Sequence, residues 1–517
     1  MRRENGGFGR EDTNKGRHMG IMRTKSIEQS IRDTEEPEHK LKKALGPIDL
    51  LVFGIGVIIG TGIFVLTGVA AATYAGPAIS LSFVFSGVAC ALAALCYAEF
   101  ASAVPVAGSA YTFSYASVGE FLAWIIGWDL ILEFTVGASA VSVGWSGYFA
   151  SILDNFFGIT LPARITSETP SILQGTMNLP AAGIALILMC ILVIGIRLSS
   201  TFNLIVTSVK LAVVLFFIGF GIFFVDAANL TPFVPPAQGV EGGGSALTAP
   251  LLQTIFGIEQ QTFGFGGILT AAAVVFFAYI GFDTVATAAE ETRNPQRDLP
   301  IGIIGSLAVC TILYILVSQI MTGILPYDQL NTAAPMATAF SAIGQGWAAG
   351  LVSVGAILGL TSVVMILMLG QSRVAFAMSR DNLLPRYFAK AHPRFRTPYR
   401  ITILTGLVVA FIAAFTPIGA LAELVNIGTL FAFILVAAGV MILRRTQPNL
   451  RRAFRTPLVP LVPILAILAC LALMLSLPGI TWVRFLIWMV LGVVVYFLYS
   501  YRHSRLGRTE AAAREGA

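Results

Sequence analysis

Phe53-Gly54-Ile55-Gly56-Val57-Ile58-Ile59-Gly60-Thr61-Gly62-Ile63-Phe64 is uncharged and holds four glycines within nine positions, Gly54 to Gly62. Each glycine costs a continuous helix about 1 kcal/mol relative to alanine. Gly56-x-x-x-Gly60 fits a close-packing face of a membrane helix. Glycines at i, i+2, i+6 and i+8 do not keep to one narrow stripe, however. The pattern favours local unwinding inside a hydrophobic segment.

The surroundings say which kind of segment it is. The chain has 517 residues, 56% hydrophobic and 12% charged, with a mean hydropathy of +0.81. A soluble domain of ordinary composition is about a quarter charged. Residues 51–66, 77–98, 181–196 and 458–482 carry no charge. Such runs approach the roughly 20 residues needed to cross a hydrocarbon core of about 30 Å. None shows the polar face of a helix on a soluble core. The fold class predicted is an all-α membrane protein of twelve spans. These lie at 47–67, 77–101, 120–147, 180–197, 201–225, 267–290, 300–323, 345–378, 401–416, 420–444, 457–476 and 481–501.

The net charge of +6 is distributed unevenly. Residues 1–46 hold 11 Lys and Arg, 373–400 hold seven, 444–455 hold five, and four follow Tyr501. None occurs in 67–122 or 211–292. Basic loops alternating with loops free of cations follow the positive-inside rule rather than a nucleic-acid patch. The even span count puts both termini in the cytoplasm. Arg197, Arg293 and Arg297 then join them there, only Arg164 and Arg484 lie outside, and Lys210 stays in the membrane. Residues 1–44 read as a flexible cytoplasmic leader, 45–501 as the transmembrane domain, and 502–517 as a cytoplasmic tail. The loop 226–261, with Pro232, Pro235, Pro236 and glycines 242–244, reads as part ordered and part coil.

A second break is expected at Phe276-Phe277-Ala278-Tyr279-Ile280-Gly281-Phe282-Asp283-Thr284. The first and sixth spans are equivalent if 47–225 and 267–444 form two inverted halves, with 457–501 adding two helices. Glycine-interrupted segments in matching positions point to a transporter site. A broken helix frees amides and carbonyls that lipid cannot satisfy. The N-terminal end of one half offers N–H groups and a positive dipole to a carboxylate. The C-terminal end of the other offers carbonyls to an ammonium. An α-amino acid presents both, though not uniquely.

The chain resembles the amino acid–polyamine–organocation superfamily, in its cationic amino acid transporter branch. The similar segments are glycines 56–62 with Ile63-Phe64; Tyr97-Ala98-Glu99-Phe100 leading to Pro105-Val106-Ala107-Gly108-Ser109-Ala110-Tyr111; Gly127-Trp128-Asp129-Leu130 with Glu133; 277–283 with Glu290-Glu291-Thr292-Arg293-Asn294-Pro295; and Gln371-Ser372-Arg373 with Met378-Ser379-Arg380-Asp381. The resemblance spans 45–501 and implies a LeuT-type five-plus-five inverted repeat with two further helices. It implies that the amides around Thr61 and Gly62 take the substrate carboxylate and that the Ile58 carbonyl takes the amino group. Phe277, Ala278 and Ile280 would supply backbone partners and a wall.

Lys210 lies about nine residues into the fifth span, roughly 13 Å deep at about 1.5 Å per residue. Snorkelling to water is hard from there. Burial makes a lysine readier to shed its proton. The resemblance implies that Lys210 stands where sodium binds in sodium-coupled members, and so implies proton symport. Glu133, four residues after Asp129, shares a helix face with it. Glu133 is placed near the pocket by the resemblance; the alternative is a hydrogen-bonding residue between helices. Asp129, Glu99 and Asp283 are expected as gate or structural charges, and Glu290, Glu291, Arg293 and Arg297 as a cytoplasmic cluster. Met365 and Met368 add uncharged bulk from the eighth span, so neutral side chains fit as well as cationic ones.

Other classes are less well supported. His18 and His39 lie in the leader, His392 in a loop and His503 near the end, none beside an intramembrane nucleophile. No hydrolase, P-loop or metal motif occurs, so an enzyme is not expected. Cys90, Cys96, Cys190, Cys310 and Cys470 form no CxxC and read as small apolar residues. A channel would need a filter. The expectation is a proton-coupled L-amino acid symporter of the plasma membrane, without cofactor or metal. An exchanger or an amino acid sensor are the alternatives.

Overall fold

The computed structural model describes residues 45–103, 111, 114–115, 119–171, 175–195, 200–239, 245, 247–257, 261–390, 392–395, 397–450 and 452–505. The leader, Arg197, the 105–110 motif, glycines 242–244 and the tail beyond 505 lie outside the described residues.

The fold is a bundle of apolar helices. They are α1 (Pro47–Ile58), α2 (Ile79–Ala103), α3 (Glu120–Phe157), α4 (Leu179–Ile194), α5 (Ser200–Gly221), α6 (Gly264–Val275), α7 (Pro295–Ile324), α8 (Gly346–Arg380), α9 (Tyr399–Phe415), α10 (Ile418–Thr446), α11 (Leu461–Leu475) and α12 (Gly479–Val495). Among the described residues, eight helical stretches are long and apolar enough to cross a membrane. Four shorter apolar helices accompany them, Pro47–Ile58, Leu179–Ile194, Tyr399–Phe415 and Leu461–Leu475. The surface exposes large apolar side chains such as Ile187, Phe411, Ile487 and Val490. Hydroxyls, carboxylates and Lys210 are buried instead. A surface of this kind suits hydrocarbon, with polar groups turned to the bundle interior.

Two of the loops hold short regular elements among their described residues. Two strands, Thr166–Ser171 and Thr176–Asn178, pair antiparallel between α3 and α4. The segment before α6 contains a helix, Leu251–Phe256, and a short strand pair, Gln238–Gly239 with Gln261–Thr262. Of the cysteines, Cys190 is exposed and the other four are buried, all with free thiols.

Two polar clamps hold the periphery. At one end of α2, Glu99 accepts both hydrogen bonds of an Arg444 fork, at 2.9 and 2.6 Å, and the Thr456 amide at 2.8 Å. Arg452 lies 3.2 Å from the same carboxylate. It also donates to the Leu443 and Gln447 carbonyls, satisfying the open end of α10. Elsewhere α12 is fastened to α3 by indoles. Trp128 donates to the Trp488 carbonyl at 3.0 Å, and Trp488 donates back to the Trp128 carbonyl at 3.2 Å. Their rings stack with centroids 4.5 Å apart.

Candidate functional site

The first hydrophobic segment breaks where its glycines suggest, but not by using all four. α1 ends at Ile58, Ile59 is extended at φ −70, ψ 95, and helical geometry resumes as a π-turn over Gly62–Leu66. Gly54 and Gly56 remain inside α1. A β-carbon on Gly54 would lie 2.5 Å from the Ser306 hydroxyl, and one on Gly56 2.3 Å from that of Thr207. These two glycines are packing faces; Gly60 lies in the break itself. The close-packing and unwinding readings thus apply to different glycines of one segment.

The second segment breaks at the expected place. α6 gives way to a 3-10 turn over Phe276–Tyr279 and an extended Ile280. Gly281 follows at φ +120, in the region that favours glycine. The continuation, Asp283–Glu291, is 3-10 rather than the α-helix implied by a span of 267–290. Its last residue leads to Thr292, which bridges Leu45, and the Arg293 amide donates to the Leu45 carbonyl at 2.9 Å. The stretch is therefore held at both ends, at Gly281 and at Leu45, and the longer rise of a 3-10 helix suits such a tether.

The two breaks touch. A β-carbon on Gly62 would lie 2.2 Å from the Ala278 α-carbon, and one on Gly281 2.7 Å from a Val57 methyl. Side chains from three other helices donate to carbonyls at the breaks, where regular helical pairing is interrupted. Lys210 of α5, wholly buried, donates to the carbonyl of Gly56 at 2.5 Å and of Ile59 at 3.4 Å. Its stem lies on Gly359 of α8, where a β-carbon would come within 2.8 Å. Tyr314 of α7 places its hydroxyl 2.9 Å from the Ile58 carbonyl and 2.8 Å from that of Ala278. Asn426 of α10 donates to the Ala273 and Val274 carbonyls at 2.7 and 3.0 Å. Lys210 is thus not a snorkelling residue.

At the N-terminal end of the resumed helix, the first amides after Thr61 have no intrahelical carbonyl to meet. Thr61 is buried, its hydroxyl has no partner among the described residues, and it packs on Gly144 of α3. The break therefore offers amides on one side and carbonyls on the other, the pattern a zwitterion would complement.

The carboxylates divide into two groups. Glu133 is buried on α3, with Asp283 and Asp129 as its charged neighbours and Thr429 beside it. Its Oε1, both oxygens of Asp129 and Oδ1 of Asp283 lack partners among the described residues. Asp129 lies against Gly428 of α10. Glu99 is elsewhere, in the arginine clamp at the end of α2. The side chains of Glu290 and Glu291 are outside the described residues. The sequence singles out Lys210 but passes over Tyr314 and Asn426. For Asn426 the available signal was a lone amide inside an apolar run.

A profile described as amino acid permease matches residues 45–498. The chain belongs to the amino acid permease family. Within it, this permease is of the type similar to cationic amino acid transporters. It is 49% identical over 492 residues to the branched-chain amino acid permease BcaP of Bacillus subtilis (strain 168), covering 94% of this chain and 99% of that one. It is 46% identical to the methylthioribose transporter of the same organism, again covering 94% and 99%. The vacuolar cationic amino acid transporter 4 of Arabidopsis thaliana is 39% identical, covering 83% of this permease and 68% of its own length. The relatives are transporters rather than enzymes, and the permease is a multi-pass membrane protein of a family that carries amino acids.

Proposed function

We propose that this permease is a proton-coupled symporter of L-amino acids, working by alternating access with its cargo held between the two breaks. The observation that carries this is the contact of Gly62 with Ala278. It places the amides after Thr61 and the carbonyls of Ile58 and Ala278 at one locus. The cargo's carboxylate sits on the Thr61 and Gly62 amides, its ammonium on the Ile58 carbonyl, and Phe277, Ala278 and Ile280 form the facing wall. The proposal includes twelve spans, with 47–225 and 267–444 as inverted halves of a LeuT-type fold and 457–501 as two added helices. It also includes a plasma-membrane location with leader and tail in the cytoplasm.

Lys210 is the proposed coupling residue. Dipoles hold its ammonium, and no carboxylate forms an ion pair with it among the described residues. Losing the proton therefore breaks no salt bridge, and the carbonyl of Gly56 ties that event to α1. Glu133, with an oxygen unpartnered, favours a cationic side chain on the cargo. The branched-chain relative favours neutral ones, and the methylthioribose relative puts that compound on the panel to be tested.

Proteoliposomes given labelled leucine, valine, arginine, lysine and methylthioribose, with and without an imposed pH gradient, test substrate and coupling together. Uphill accumulation of an amino acid under a pH gradient, lost in Lys210→Ala, is the expected result. Uptake in Lys210→Ala that still follows the gradient would remove Lys210 from the mechanism. Counterflow alone, indifferent to the gradient, would make the permease an exchanger.

A further inference from the structure

α6 changes its winding at a defined point. It is α-helical through Val275 and 3-10 from Phe276 to Tyr279. A carbonyl accepts from the fourth following residue in an α-helix and from the third in a 3-10 helix. Carbonyls at the change-over are therefore the least well served by their own helix. Ala273 and Val274 occupy that position, and both face the single amide of Asn426. Further back, Ser82 and Ser86 of α2 donate to the Ile268 and Ala272 carbonyls at 2.9 and 2.6 Å. Serines thus hold the regular part of α6 and the asparagine holds its change-over.

Packing alone gives no reason for this amide. Asn426 is wholly buried in a helix of apolar neighbours, and its Oδ1 has no partner among the described residues. An unsatisfied buried oxygen is a cost that leucine would avoid. We propose that Asn426 is a positioning residue that sets where α6 leaves its α-helical winding, and thereby aims Phe277 and Ala278 at the cargo. This rests on the site proposed above. Each residue moved from 3-10 to α winding turns everything beyond it by about 20° and draws it back by about 0.5 Å. Phe277 and Ala278 lie only three and four residues beyond Val274, so such a shift reaches them undiminished.

The test is zero-gradient counterflow of a labelled amino acid, at equal pH on both sides, for wild type, Asn426→Asp and Asn426→Leu from pH 5 to 8. Asn426→Asp turns a carboxylate toward two carbonyls. Its KM relative to wild type should rise about tenfold at pH 8 and fall back on acidification, as the protonated acid regains a donor. Asn426→Leu should raise KM at every pH with no recovery, and it keeps the test decisive if the aspartate variant does not fold. Asp129, Glu133 and Asp283 beside α10, Glu99 with Arg444 and Arg452, Glu423 near Arg484, and buried Cys90 and Cys470 are common to all three proteins. Their titration therefore cancels in the leucine ratio, which adds no charge, and the aspartate ratio is read against it. KM ratios near one at all pH for both variants, or an aspartate ratio that stays high at pH 5, would overturn the proposal. Ile280→Trp, measured alongside, separates the two failures. If it blocks counterflow while both Asn426 variants keep wild-type KM, the site stands and the role of Asn426 falls. If it leaves counterflow intact, the site itself falls, and this inference with it.

Discussion

Gly62 and Ala278 lie in contact so close that a β-carbon on the glycine would come 2.2 Å from the alanine α-carbon and 2.8 Å from its amide nitrogen. The obstacle is backbone, which cannot swing aside as a side chain can. Gly62→Ala should therefore separate the breaks and reduce uptake at least about tenfold, equivalent to roughly 1.4 kcal/mol. Gly60→Ala meets Val363 methyls at 3.6 and 3.7 Å and the Ile58 carbonyl oxygen at 3.9 Å, all ordinary contacts, and should be milder. Uptake normalised to folded protein checks the order of the two.

Glu133 allows the side-chain class to be read directly. If its carboxylate receives a cationic side chain, Glu133→Gln should weaken arginine and lysine at least about tenfold while leucine changes by less than about twofold. Competition of each amino acid against one labelled tracer gives both numbers. Equal loss for leucine and arginine would assign Glu133 to the helix framework.

The sequence announced both breaks and Lys210 because glycine and a deep charge are unusual in apolar runs, and each has few physical explanations. It did not divide the labour among the glycines. Whether Gly54 packs or unwinds depends on Ser306, some 250 residues away, which no local pattern reports. Tyr314 was hidden for a different reason. A tyrosine among leucines usually packs through its ring, and this one also packs on Phe83, with centroids 5.4 Å apart. Only the positions of the Ile58 and Ala278 carbonyls reveal its hydroxyl as part of the site. The 3-10 winding after Asp283 was equally unreadable, since it answers to an attachment at Leu45.

The Glu99 clamp should govern stability more than transport. Breaking a buried ion pair costs about 3–5 kcal/mol. The Arg444 side chain is 27% exposed, against 2% for Glu99 and 4% for Arg452. Water will screen part of the loss, so Glu99→Ala should cost about 2–3 kcal/mol. A lowered melting temperature in detergent, with KM unchanged in the surviving protein, is the expected outcome.

Tyr111 lies outside the spans and donates to Asp381 at 2.8 Å. Burial first, and then the Asp381 charge, push its phenol well above the ordinary value. A tyrosine in the unfolded chain ionises near pH 10, or about that. The folded state holds this proton more tightly, so its contribution is complete below that pH and is lost as pH rises beyond it. Tyr111→Phe lacks the hydrogen bond and also lacks the titration. Its deficit in melting temperature should therefore be largest at neutral pH and shrink above pH 10. A constant deficit across that range would detach Tyr111 from alkaline unfolding.

The paired indoles of Trp128 and Trp488 leave α12 no axial play. Sliding it by one residue would break both N–H to carbonyl links at once. A β-carbon on Gly492 would come 2.4 Å from the Trp128 ring, so the helix cannot roll toward α3 either. The far side of α12 shows Leu486, Ile487, Val490 and Val494 to the outside. That apolar face suits hydrocarbon, while its inner edge is locked in register. A load on that face would therefore pass to α3 rather than be absorbed by sliding, because the two indoles couple the helices in both directions.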